Sequence, residues 1–162
     1  MEIACVIDSR LATPARPGRP GGLRPGRNYL PDPVEAAERT EVLVRRLEAI
    51  GAAVESERAG EAFFAVDGLR GIHGGDSPGV LAAVRGALGS GLRIGTAPNR
   101  FAAYAAAWKG VSVREGQLHV FLAPISVAIL PLRLEAPGRE VEELVVTLER
   151  LGIGTLQALS RI

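Results

Sequence analysis

Residues Val54–Ala107 read VESERAGEAFFAVDGLRGIHGGDSPGVLAAVRGALGSGLRIGTAPNRFAAYAAA, and the order of elements inside this stretch decides the fold. Ala52–Glu57 and Glu61–Val66 are two short runs joined by Arg58-Ala59-Gly60, a hairpin signal with glycine in the turn. Pro78–Leu88 is a small-residue helix, with Ser77 as its N-cap and Pro78 at its first helical position. Leu92–Ala97 reads as a strand, and Asn99–Trp108 as an alanine-rich helix opened by Pro98 or Asn99. The order β-β-α-β-α predicts an α/β (α+β) domain, a mainly antiparallel sheet with helices on one face.

On the N-terminal side, Glu2–Ile7 is a continuous apolar run suited to a central strand. Thr13–Asn28 is rich in Pro and Gly, with Arg10, Arg16, Arg19, Arg24 and Arg27 in a span free of acids between Asp8 and Asp32. It reads as a loop, and its arginines suit phosphates. Pro33–Ile50 is the clearest helix: Asp32 is its N-cap, Gly51 ends it, and Val34, Ala37, Val42, Leu43, Leu47 and Ile50 form its apolar stripe. Glu41 and Arg45 stand at i,i+4 on its charged face.

On the C-terminal side, Val111–Val113 and Leu118–Leu122 read as short strands about a turn at Arg114-Glu115-Gly116. Arg139–Leu151 is an amphipathic helix, and a further helix starts in Thr155–Ser160. Between them Gly152-Ile153-Gly154-Thr155 completes a helix, hydrophobic-Gly-hydrophobic turn, helix pattern. Its backbone N–H groups suit a DNA phosphate.

Composition narrows the class. A chain of 162 residues that is 47% apolar builds one ordinary core, and a net charge of +1 announces no polyanionic partner by itself. The single Cys5 excludes a disulfide framework and fits a reducing cytoplasm. No run approaches the ~18 apolar residues of a membrane span, and no secretory signal opens the chain. His73 and His119 have no partners at zinc-ligand spacing, and Gly74-Gly75 lacks the phosphate-loop pattern.

Two elements of the central stretch resemble the palm of the Y-family (translesion) DNA polymerases, closest to the degenerate ImuB-like branch. The family's hairpin carries Ser-x-Asp-Glu after Val-Glu; here the frame is Val54-Glu55, then Arg58-Ala59-Gly60-Glu61 and Ala62-Phe63-Phe64. The family's Gly-Ile-Ala-x-Asn-Lys/Arg phrase is here Gly95-Thr96-Ala97-Pro98-Asn99-Arg100. Gly22-Leu23-Arg24-Pro25-Gly26 is similar to a short phrase of the fingers, and Ala123–Val127 to the exit from palm to thumb. The resemblance implies a palm-like domain over 1–135, with 10–32 as a loop in place of the fingers. It implies a partial helix-hairpin-helix thumb over 136–162, without the little-finger domain.

The chain departs from the family where the family is catalytic. Two-metal phosphoryl transfer needs converging carboxylates. The first strand's two family aspartates fall at Ile7 and Ser9, and the hairpin Asp falls at Gly60. Asp8 and Glu61 are left as remnant candidates, with Asp8 on the wrong side of a regular strand. A lysine that reaches the incoming triphosphate in active members is here Tyr104.

The resemblance therefore implies no catalytic or metal site and no cofactor. It implies a pseudoenzyme adapter of DNA repair, translesion synthesis and the SOS response. DNA would be bound through Arg100, Gly152, Ile153, Gly154, Thr155, Arg24 and Arg27. Its partners would be DNA, a separate error-prone polymerase, the sliding clamp and a RecA-like protein, with no membrane. Two alternatives stand beside it. One is an active error-prone polymerase that uses Asp8 and Glu61 with Mg2+ through a strand bulge. The other is a protein-interaction domain or inert fragment, which predicts a Gly152–Gly154 turn buried by its own protein.

Overall fold

The computed structural model describes residues 1–11, 32–133 and 138–162, apart from the side chains at 132, 138, 139, 141 and 142. The contacts divide these residues into two compact units, the first running to Glu115 and the second from Gly116.

The first unit is built on three antiparallel strands in the order β2-β1-β3: β1 Ile3–Asp8, β2 Glu61–Ala65 and β3 Leu92–Ala97. β1 is central because its apolar run supplies both faces, and Ala4, Cys5, Val6 and Ile7 are fully buried. Its register runs unbroken from Ile3↔Ala65 to Ile7↔Glu61 on one side, and from Ile3↔Ala97 to Asp8↔Leu92 on the other. The first limb of the expected hairpin shrinks to a single bridge, Glu55↔Phe63. Gly60 takes φ 76° in the turn, and its N–H donates to Thr40 Oγ1 at 2.9 Å.

Helices lie on both faces of this sheet. Helix α1 (Pro33–Glu48) and helix α2 (Ser77–Leu88) cover the face of Ala4, Val6, Ala62, Phe64 and Ile94. Helix α3 (Arg100–Lys109) covers the other face, against Cys5, Phe63 and Gly95. A Cβ on Gly95 would come within 2.2 Å of the backbone at Ala106 and Ala107, so glycine is what lets α3 lie so close. The expected one-face arrangement thus holds for α1 and α2, while the alanine faces of α3 seat it on the opposite side. Phe63 and Phe64 divide between the two faces, as strand alternation requires.

Local chemistry sets the helix ends. Asp32 Oδ1 accepts from Val34 N–H at 3.0 Å, and Asn99 Oδ1 from Ala102 N–H at 2.9 Å. The cap of α2 is Asp76, not Ser77: Asp76 Oδ1 accepts from Gly79 N–H at 2.8 Å, and Ser77 is helical. In α1 the buried residues are Ala36, Leu43 and Leu47. Ala37, Val34 and Val42 of the expected stripe are exposed, because only an arc centred on Leu43 and Leu47 meets the sheet. Val111–Val113 forms no strand. Ser112 bridges Thr96 in parallel, and Val113 N–H donates to Thr96 O at 2.8 Å.

The second unit is helical. Helix α4 (Leu118–Leu122) stands where a strand was expected, continuing a 3-10 turn at Glu115–Gln117. A further 3-10 segment, Val127–Leu132, is capped by Ser126. Helix α5 (Gly138–Arg150) and helix α6 (Leu156–Leu159) follow. Val127, Val145 and Leu148 form the small core of this unit, with Ile153, Leu156 and Leu159 packed on it. Among the described residues no helix is long and apolar enough to cross a membrane.

Candidate nucleic-acid interface

Glu61, Ile7 and Arg93 lie in one row across the sheet, because Ile7 is paired with both others. Paired residues project to the same face, here the α3 face. The row therefore holds one carboxylate, one fully buried alkyl side chain and one exposed guanidinium. Glu61 itself is 6% exposed.

Asp8 is one residue beyond Ile7, and its side chain belongs to the opposite face. The bulge that would swing it toward Glu61 is absent, since β1 keeps its register through Asp8↔Leu92 and Asp8 N–H donates to Gly60 O at 2.8 Å. Asp8 instead closes a turn at the strand end, accepting from Arg10 N–H at 3.0 Å. It lines a cavity of about 380 Å³ with Glu38 and the basic Arg10, Arg39 and Arg46. Among the described residues no three His, Cys, Asp or Glu side chains converge on a point where an ion would sit. The residues at the family's metal positions do not fit Mg2+: Ile7 is apolar and Gly60 has no side chain.

Arg100 is held inside the first unit. Its guanidinium donates to Glu55 at 2.7 Å and to Glu57 at 3.2 Å, and it lies 4.8 Å from the centre of the Phe63 ring. Both glutamates precede the Gly60 turn, so hairpin and α3 are tied together by the residue expected to meet a phosphate. Tyr104 is buried and packs edge-on against Trp108, with ring centres 6.2 Å apart. Trp108 carries Arg93 over its ring at 5.1 Å, and its carbonyl accepts from Arg93 Nη1 at 2.7 Å. Trp108 is thus a packing residue at a helix end.

The Gly152–Thr155 turn is ordered by its own backbone. Gly152, at φ 79°, donates to Glu149 O at 3.0 Å, and Ile153 donates to Leu148 O at 2.8 Å, a left-handed helix end. Ser126 and Thr155 form a bridge, and Thr155 Oγ1 accepts from Ala158 N–H at 3.2 Å to cap α6. Gly152 and Gly154 are exposed, while Ile153 packs inward. The turn is therefore not buried by its own protein. Arg24 and Arg27 lie outside the described residues.

The polar cluster at the far end of β1 is structural. Glu2 accepts from Ser77 Oγ at 2.5 Å and from Arg70 Nη2 at 2.6 Å, and Arg70 also pairs with Asp67 at 3.2 Å. Partial burial pushes the Glu2 carboxyl up. The hydrogen bonds from Ser77 and Arg70 and the Arg70 charge outweigh it, holding the carboxyl below its ordinary value.

The solved structure of DinB from Sulfolobus solfataricus is similar to this chain, with a TM-score of 0.53 at 18% identity over 78% of the chain. The match takes in 38% of the DinB chain, so this protein spans well under half of that neighbour. The likeness is one of fold. No family model and no curated protein matches the sequence.

Proposed function

We propose that this protein is a non-catalytic Y-family polymerase-like domain that binds DNA as an adapter in repair and translesion synthesis. The observation that carries the reading is the Glu61–Ile7–Arg93 row. A palm-like sheet similar in fold to that of DinB bears an alkyl group and a guanidinium beside its single carboxylate. Phosphoryl transfer by two metals needs carboxylates at such a place, whereas Ile7 and Arg93 favour packing and anion contact. The exposed Gly152–Gly154 turn of the second unit supports phosphate contact there.

In this reading Arg100 supports the fold rather than the DNA, and Arg24 and Arg27 remain candidate phosphate contacts. A separate error-prone polymerase, the sliding clamp and a RecA-like protein are the partners proposed with it, in the cytoplasm. The chain is expected to bind a primer-template and to extend no primer in Mg2+ with all four deoxynucleotides. Magnesium-dependent extension, lost on Glu61→Ala, overturns the non-catalytic part.

A second reading, a protein-interaction module, draws on the exposed Val120, Leu144, Val146 and Leu151 of the second unit. It predicts that a primer-template is not bound.

A further inference from the structure

Where the C-terminal ends of α2 and α3 meet the start of β3, a groove of about 590 Å³ opens. Three elements each place one cation on it: Arg85 from α2, Arg93 from β3 and Lys109 from α3. All three residues are exposed, and no acidic residue lines the groove. Among the described residues none of the three forms an ion pair, although Arg39, Arg45, Arg70 and Arg100 of the same unit all do. Arg10 comes to the same rim, its Nη2 4.0 Å from where a Cβ of Gly91 would stand.

The helix ends account for part of this charge. Arg85 and Lys109 sit in last turns, where a cation is favoured beside the carbonyl groups. Arg93 is on a strand and has no such reason. Its guanidinium is fixed by the Trp108 carbonyl and ring, which immobilises one edge and leaves its other N–H groups at the groove. A guanidinium anchored on Trp108 between two exposed cations, with no acidic residue lining the groove, is suited to an anion that brings several negative charges at spaced intervals.

We infer that the Arg85–Arg93–Lys109 groove is a phosphate-backbone contact surface, and that it is the part of the first unit that holds DNA. This assignment rests on the DNA-binding reading. It is separate from the Gly152 turn and from Arg100, whose charge is already matched by Glu55 and Glu57.

The test is fluorescence anisotropy of the full chain with a labelled primer-template across a salt series. It compares wild type with Arg85→Glu/Lys109→Glu, which leaves the Arg93–Trp108 contact intact, and thermal unfolding checks that both are folded. The double variant is expected to bind about tenfold or more weakly at ~50 mM salt, with a log–log salt slope shallower by about 2. Arg93→Lys, which keeps the charge, should fall between the two. If wild type binds and the double variant matches it in affinity and slope, the groove is not the contact and the DNA reading stands. If wild type does not bind, both fall.

Discussion

Ile7 is the residue on which the account turns. It is fully buried between Glu61 and Arg93. An aspartate there would bury a second carboxylate beside that of Glu61, with only the exposed Arg93 to oppose it, at a cost on the order of 3 kcal/mol or more. Ile7→Asp should lower stability by that amount in urea unfolding, and 10-fold changes in Mg2+ should not restore it. A magnesium-dependent rise in the melting temperature of Ile7→Asp would mean that Glu61 and its neighbours still hold an ion. Glu2 makes a pH prediction. Its carboxyl titrates below its ordinary value of 4.5 in the folded chain, so it contributes stability fully present above that value and lost as pH falls through the folded one. Unfolding followed from pH 7 to pH 3 should show this loss in wild type and less of it in Glu2→Gln. An equal pH dependence in both would remove Glu2 from the account.

At the scale of elements, the close seat of α3 and the caps are what can be tested. Gly95→Ala forces a methyl into the Ala106–Ala107 backbone and should cost about 1–3 kcal/mol or more, since backbone gives way less than a side chain. Asp76→Ala should cost about 1 kcal/mol through the lost cap. Ser77→Ala should instead act through Glu2, flattening the same pH profile. Equal cap-like losses for both would contradict the assignment of Asp76. Much of this was legible. β3 has the bounds read from Leu92–Ala97, and Asp32 with Pro33 marks α1, because cap chemistry and periodicity are local.

What escaped was set by distant residues. Ser77 and Asp76 are both good caps, and only the geometry of Gly79 chooses between them. Leu118–Leu122 is too short to show a period, and it continues a 3-10 turn into a helix. Arg100 matches a family phrase, yet its partners Glu55 and Glu57 lie more than forty residues back. Arg93 carries no local signal, because its meaning comes from pairing opposite Ile7 and from Trp108, not from neighbours in sequence.

At the scale of the whole molecule, basic and acidic side chains are set apart, and the Arg85–Arg93–Lys109 groove is lined by no acidic residue. Net charge of +1 hides this, since opposed charges cancel over the chain but separate in space. The single most direct measurement is fluorescence anisotropy of the intact chain with a labelled primer-template, without nucleotide, at ~50 and ~200 mM salt. Binding that weakens steeply, by ~10²-fold or more if several phosphates are contacted, is the predicted result. No binding at micromolar protein, or binding indifferent to salt, contradicts a DNA-binding role.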